Sequence, residues 1–388
     1  MVNDDDEDYS AKEIKQILMK AFNKYAYKYH YDFCEDSTRV FTIKVKDRKN
    51  SRILHSCDFA IVNNYEDNRQ EYIRFNKKSN SYNWVEQSNG FYLLPVNQEV
   101  IKMILNEKYT LSNGVEIPKL GLGTWMIPDE QTDEAVRKAV ALGYRHIDTA
   151  QAYGNEAGVG RGVNSCGVKR DELFITSKVA AEHKSYETAA RSIDETLKKT
   201  GLDYLDMMII HSPQPWAEFR GEKRYFEENK ETWRALEDAY KAGKLRAIGV
   251  SNFLIDDLEN LLVSVEIKPM VNQILTHISN TPLDLIDFCK VNDIRCEAYS
   301  PIAHGEALKN EAIADMAAKY GVSVAQLCVR YTIELGLVSL PKTSNPEHMK
   351  SNADIGFTIS DEDMETLKHF EKIKDYGEYT YFPVFSGK

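Results

Sequence analysis

The sequence predicts an α/β fold: a (β/α)8 TIM barrel over residues 108–388, preceded by a small α+β domain over residues 1–105. Three observations carry this. After Asn106 the chain alternates short β-rich segments with amphipathic stretches, mostly of ten or more residues. Eight such strand candidates fall in roughly 280 residues, the count and length of a (β/α)8 barrel. The competing architecture, a doubly wound open sheet, should carry GxGxxG after its first strand, and that sequence is absent.

The strand candidates are the short β-rich segments 120–123, 146–148, 173–176, 205–210, 247–250, 270–272, 295–299 and 338–340. Helix candidates with apolar residues at 3.6 spacing include 132–142, 186–200, 230–242, 256–263, 283–292 and 324–335. Ahead of the first strand, residues 109–120 with Asn113-Gly114 at their middle predict a β-hairpin with a type I′ turn, placed to plug the N-terminal mouth of the barrel. Residues 1–105 have a different character, rich in Tyr, Phe, Asn and Lys and poor in Gly and Ala. Helical spacing over 11–27, then strand-like stretches at 40–45, 53–62, 72–75 and 82–85 and a closing helix over 96–105, predict one helix followed by a curled antiparallel sheet. The aromatic and lysine run 22–33 reads as the core of that domain, or as a face for a protein partner.

At 388 residues, 43% hydrophobic and 28% charged, the chain has ordinary globular composition and room for two domains. A net charge of −11 excludes a general phosphate-backbone binder, so no nucleic-acid partner is expected. No run approaches the ~20 apolar residues that span a bilayer, and the acidic N-terminus does not read as a secretory leader. Six cysteines are scattered without a CxxC pair, as reduced thiols of a cytoplasmic protein would be. Nothing in the His, Cys and acidic spacing suggests a metal site.

In such a barrel the C-terminal strand ends build the active site. That rule nominates Thr124 and Trp125, Asp148, Lys178, His211, Ser251 and Asn252, Gln273, Tyr299 and Ser300, and Lys342. Four segments fit one mechanism. Tyr153 follows Asp148 by five residues, on the loop after the second strand. A phenol with pKa near 10 is a poor acid at neutral pH, and a neighbouring Lys178 ammonium would lower that value. Asp148 would aim Lys178, and His211 would hydrogen-bond a substrate carbonyl oxygen. Tyr153 would then protonate the developing alkoxide while a bound cofactor supplies hydride. Taken singly these residues have blander readings: Asp148 and Lys178 as a structural ion pair, His211 as a satisfied loop histidine, Trp125 and Trp216 as filling for the barrel mouth, Gln273 as a strand cap.

The segments GLGTW (121–125), HIDTAQAYGNE (146–156), FITSKV (174–179), MIIHSPQPW (208–216), IGVSNF (248–253), EAYSPI (297–302) and LPKTSNPE (340–347) resemble those of the aldo-keto reductase superfamily, most of all its bacterial 2,5-diketogluconate reductase-like branch. The resemblance spans about 108–375. It implies reduction of a small-molecule carbonyl with NADPH, Tyr153 as general acid, and Asp148, Lys178 and His211 completing a tetrad. It further implies that Ser251, Asn252 and Gln273 hold the carboxamide, that Tyr299 stacks on the nicotinamide, and that Thr124 and Trp125 border the reacting end. Ser300 and Ile302 would lie along the pyrophosphate, with Lys342, Thr343, Asn345 and Asn352 around the adenosine phosphate and adenine.

Two departures stand out. Many members have His-Trp-Pro where this chain has His211-Ser212-Pro213, so Trp216 becomes the candidate for the lost aromatic wall beside the substrate. NADP-preferring members usually place Arg where His348 stands. An imidazole cannot make the bidentate contact of a guanidinium, although the Lys342 charge and the Thr343 hydroxyl remain. NADPH preference with an unusually small penalty for NADH follows. The alternative is a catalytically silent nucleotide-sensing or scaffold subunit on the same barrel, which should have lost part of the tetrad; all four residues are present.

Overall fold

The computed structural model describes residues 104–386 in full and, before them, the backbone of three strands. The chain divides into two compact units, Met1–Val100 and Ile101–Lys388. In the first, β1 (Tyr31–Cys34), β2 (Val40–Lys46) and β3 (Ile53–Ala60) form an antiparallel sheet in that order. The strands expected at 40–45 and 53–62 are β2 and β3, whereas β1 was not anticipated and ends the aromatic-lysine run. The helix expected at 11–27, the strands at 72–75 and 82–85, and most of the helix at 96–105 lie outside the described residues.

The second unit begins its packing at Ile104 and Leu105, which are buried in the main apolar core. A hairpin follows, β4 (Lys108–Thr110) paired antiparallel with β5 (Glu116–Pro118), Tyr109 opposite Ile117. Its turn differs from the expected type I′, which needs positive φ at both central residues. Only Gly114 has it (φ 83°). The Gly114 amide donates to the Leu111 carbonyl at 2.8 Å and the Leu111 amide to the Val115 carbonyl at 2.8 Å, a type I turn closed by a left-handed glycine. Asn113 instead spends its side chain on the barrel: its Nδ2 donates to the Arg246 carbonyl at 2.8 Å, next to the start of a barrel strand. With Ile117 fully buried and the Tyr109 hydroxyl on the Ile333 carbonyl (3.3 Å), the hairpin closes the N-terminal end.

Eight parallel strands make the barrel: β6 (Leu122–Gly123), β7 (His146–Asp148), β8 (Phe174–Val179), β9 (Leu205–Ile210), β10 (Leu245–Ser251), β11 (Val271–Leu275), β12 (Arg295–Tyr299) and β13 (Val338–Leu340). Each pairs with its sequence neighbour, and bridges Leu120 to Ser339 and Gly123 to Lys342 bring the first strand against the last. β7, β9, β12 and β13 have the predicted bounds; the other four shift by one to three residues at an end. β8 and β9 are buried along their whole length, and the apolar residues they carry made them visible in the sequence even though Thr176, Ser177, Lys178 and Asp206 interrupt them.

The surrounding helices are α1 (Asp129–Leu142), α2 (Glu156–Ser165), α3 (Tyr186–Thr200), α4 (Phe226–Lys241), α5 (Ile255–Leu262), α6 (Leu283–Val291), α7 (Glu311–Lys319), α8 (Val324–Glu334), α9 (Pro346–Ala353) and α10 (Asp361–Lys368). Helix α3 shows how local chemistry sets the bounds: Ser185 caps it, accepting from the Thr188 amide at 3.3 Å, and Gly201 ends it in the left-handed conformation. Helix α2 escaped the sequence reading because it carries Gly158, Gly160 and Gly162, which weaken helix propensity. The structure requires them. A Cβ on Gly158 would stand 2.4 Å from the Asp129 carbonyl oxygen, one on Gly160 2.0 Å from the Thr200 carbonyl oxygen, and one on Gly162 2.6 Å from Val136 Cβ. The glycines let α2 lie against α1 on one side and the end of α3 on the other.

Candidate active site

The C-terminal strand ends converge on a cavity of about 320 Å³. Tyr153 reaches it from the single turn of 3₁₀ helix Gln151–Tyr153 beyond β7, and His211 from the residue after β9. Below them Lys178, on β8 and fully buried, donates to Asp148 Oδ1 at 2.7 Å, Asp148 Oδ2 at 2.6 Å and the Thr149 carbonyl at 2.8 Å. The Lys178 Nζ lies 4.8 Å from the centre of the Tyr153 ring, and the Tyr153 and His211 rings meet edge to face at 5.6 Å. The four residues nominated for one mechanism are thus in one place.

The electrostatics differ from the expectation in one respect. The Tyr153 phenol is held well above its ordinary value, by burial first and by the Asp148 carboxylate second, not lowered by Lys178. The physical reason is in the hydrogen bonds: all three ammonium protons of Lys178 are engaged by Asp148 and Thr149, leaving none for the Tyr153 oxygen. Tyr153 is therefore a protonated phenol, a donor. Burial and then Lys178 hold His211 well below the usual histidine range, so its imidazole is neutral. Its Nδ1 is buried without a partner.

Ser251, Asn252, Gln273 and Tyr299 line the same cavity. Asn252 has a left-handed backbone (φ 62°), which asparagine tolerates better than most residues. Its Nδ2 donates to the His211 carbonyl (3.0 Å) and its Oδ1 accepts from the Tyr299 hydroxyl (2.7 Å), so the Tyr299 ring is fixed at the cavity edge. Ser251 Oγ donates to the Gln273 carbonyl at 2.8 Å. Gln273 Nε2 donates inward to Asp148 Oδ1 and Glu297 Oε2, both at 2.9 Å. This set of an aromatic face, a hydroxyl and two amides fits a planar ring bearing a carboxamide, the chemistry of nicotinamide.

Thr124 does not line the cavity; fully buried, its hydroxyl donates to the Asp148 carbonyl at 2.9 Å and so anchors the strand end. Trp125 does line it, packed edge-on against His304 (5.0 Å) and Phe382 (4.8 Å). Trp216 lines it too and meets His211 edge to face at 5.0 Å. Ser212, where the resemblance led us to expect tryptophan, is buried with its carbonyl accepting from Lys184. The remaining nominees lie outside this cavity, on the loops after β12 and β13 and on α9. Ser300 Oγ sits 3.2 Å from His304 Nε2, and Ile302 is half-buried. Lys342 is exposed, and Thr343 Oγ1 accepts from the Asn345 amide at 3.1 Å. Asn345 caps α9, His348 is exposed on its first turn and Asn352 is buried further along. A cation, a hydroxyl and a helix N-terminus in sequence fit a phosphate group.

Three contributions were missed. The tail residues Phe382, Pro383, Val384 and Phe385 wall the cavity, and none of them was nominated from the sequence. His304, not among the nominated residues, meets Trp125 and Phe385 edge to face and lies tilted against Tyr379. Glu297, inside the barrel beneath Gln273, gave no signal, because an acidic residue in a strand pattern reads as a solvent-facing one.

A parallel (β/α)8 barrel whose strand ends join a buried lysine–aspartate pair, a protonated tyrosine and a neutral histidine around one apolar cavity has the architecture of a barrel oxidoreductase. The chain belongs to the aldo/keto reductase family, whose pattern matches residues 119–372. It is 44% identical over 275 residues to the glyoxal reductase of Bacillus subtilis, an alignment covering 70% of this chain and 96% of that protein. Among solved structures, an aldo/keto reductase from Brucella melitensis superposes with a TM-score of 0.63 at 37% identity, covering 68% of this chain and 98% of that one. A Bombyx mori aldo-keto reductase in complex with NADP superposes at 0.62 with 31% identity, covering 72% and 98%. The reaction class is carbonyl reduction. Among the described residues no helix is long and apolar enough to cross a membrane, and no group of His, Cys, Asp and Glu could hold a metal ion.

Proposed function

We propose that the barrel reduces small aldehydes and ketones to alcohols with NADPH, and that Tyr153 delivers the proton. One observation carries the reading: the Tyr153 phenol and the His211 imidazole reach the same cavity above a buried Asp148–Lys178 pair, and Ser251, Asn252, Gln273 and Tyr299 line that cavity with them. When bound, the nicotinamide supplies the hydride. The chain's own residues do the rest. The His211 imidazole, neutral because burial and Lys178 disfavour its cation, donates one hydrogen bond to the substrate carbonyl oxygen without competing for the proton. Tyr153, kept protonated by burial and Asp148, gives its proton to the developing alkoxide, a far stronger base than a phenolate. The walls from Trp125, Trp216 and the tail exclude water and select apolar or compact carbonyl substrates.

Lys342, Thr343, Asn345 and Asn352 are assigned to the adenosine end, with Ser300 and Ile302 along the pyrophosphate. His348 stands beside them on α9 in the place of a guanidinium, which supports NADH as a second, weaker cofactor. A catalytically silent sensor is disfavoured by the complete tetrad. Reduced cysteines, four thiols among the described residues, support a cytoplasmic setting, and a protein partner for residues 1–105 concerns side chains outside the described set. Tyr153→Phe tests the reading. The variant should keep NADPH affinity within about twofold and lose at least 100-fold in kcat for a model aldehyde, the low end of general-acid contributions. Wild-type turnover by this variant would remove Tyr153 from the mechanism.

A further inference from the structure

Glu297 is a fully buried acid inside the barrel that none of the steps above employs. It sits on β12 directly across from Gln273 on β11, so the two side chains share one face of the parallel pair. Its Oε2 accepts from Gln273 Nε2 at 2.9 Å, the same nitrogen that Asp148 Oδ1 holds at 2.9 Å. Its Oε1 has no hydrogen-bond partner, and the nearest charged-type neighbour on that side is His146 Nε2 at 3.9 Å.

We propose that Glu297 is a positioning residue: together with Asp148 it locks the Gln273 side-chain amide with nitrogen inward and oxygen toward the cavity, so that the site offers an acceptor, not a donor, to the cofactor's carboxamide nitrogen. The inference rests on the assignment of Gln273 to the carboxamide made above. Its force is geometric. An amide flipped by 180° would set its oxygen against two carboxyl oxygens at hydrogen-bonding distance and lose both bonds. The Asp148 carboxylate can only accept and sets the orientation; Glu297, with its proton on the unpartnered Oε1, leaves Oε2 as a second acceptor on the same side. Burial and the Asp148 charge push Glu297 up to about 8, so near neutral pH it is the protonated acid. Burial likewise holds His146 down to about 3, a neutral neighbour that does not draw the proton away. A protonated glutamate has nearly the shape of glutamine, which provides a conservative replacement that keeps an oxygen for Gln273 Nε2.

The test measures NADPH affinity of the full-length protein by quenching of tryptophan fluorescence, for which Trp125 and Trp216 on the cavity are reporters. Glu297→Met should weaken NADPH binding about fivefold, the loss of one net hydrogen bond. Glu297→Gln should stay within twofold of wild type. In a Gln273→Met background, Glu297→Met should cost nothing further, because its target is gone. The proposal is overturned if Glu297→Met binds NADPH like wild type, if Glu297→Gln loses as much as Glu297→Met, or if the losses of Glu297→Met and Gln273→Met multiply. Should Glu297→Met fail to fold, Glu297→Asp serves in its place, since the carboxyl retreats by one methylene from Nε2, with the same expectations and the same refuting results. A wild type without NADPH affinity overturns the cofactor assignment and this proposal together; a wild type that binds NADPH but ignores position 297 overturns this proposal alone.

Discussion

Replacing Asp148 by Asn removes one charge and almost no volume from the centre of the barrel. The partner left behind, Lys178, has no exposed surface, and two of its three donated bonds, at 2.7 and 2.6 Å, go to the lost carboxylate. Breaking a buried pair from one side leaves an uncompensated charge and costs about 3–5 kcal/mol, whereas replacing both members with apolar groups is often close to neutral. Asp148→Asn should therefore destabilise the barrel by about 3–5 kcal/mol, measured as a shift in the guanidinium midpoint of the second unit. Asp148→Asn with Lys178→Met should recover at least half of that loss. Activity should behave in the opposite way. The double variant, though more stable, should be no more active than the single one, because neither retains the charge arrangement beneath Tyr153. A loss below about 1 kcal/mol for Asp148→Asn, or a double variant as unstable as the sum of the singles, would refute the view of this pair as a desolvated ion pair. A double variant with wild-type turnover would refute its part in the chemistry.

Gly160→Ala should destabilise the barrel by about 3 kcal/mol or more, the upper range for overpacking, because its Cβ would stand 2.0 Å from the Thr200 carbonyl oxygen, backbone that cannot rotate away; thermal melting reads this directly, and an unchanged melting temperature would show that α2 and the end of α3 can separate at little cost. The ratio of kcat/KM for NADPH over NADH should lie below 100 in the wild type, that is below about 2.7 kcal/mol, and should rise in His348→Arg as a bidentate cation is restored beside Lys342 and Thr343; a wild-type ratio of 100 or more defeats the cofactor argument.

What was legible in the sequence follows from where each signal originates. Strands β7, β9, β12 and β13 were readable to the residue because each carries short apolar or β-branched stretches bounded by polar and turn residues, a one-dimensional pattern that survives single buried polar residues such as Asp206 and Glu297. Asp148, Tyr153, Lys178 and His211 were readable because a strand end is a fixed place in a barrel, so a polar residue just after an apolar run carries positional meaning. Helix α2 was hidden by the same glycines that make it possible: their justification lies in the Asp129 and Thr200 carbonyls and in Val136, none adjacent in sequence. The hairpin turn was misread because Asn-Gly is compatible with two turn types, and the partner of the Asn113 side chain, the Arg246 carbonyl on β10, is not adjacent in sequence. Tyr153 was expected to be acidified by Lys178, an argument from proximity alone. Proximity holds, but the ammonium has three protons and three acceptors already, so burial prevails and the phenol stays a donor. Glu297 is the extreme case. Its meaning depends on one amide nitrogen shared with Asp148, a relation among three residues spread over about 150 positions, and it becomes visible only when the donors and acceptors inside the barrel are accounted for one by one.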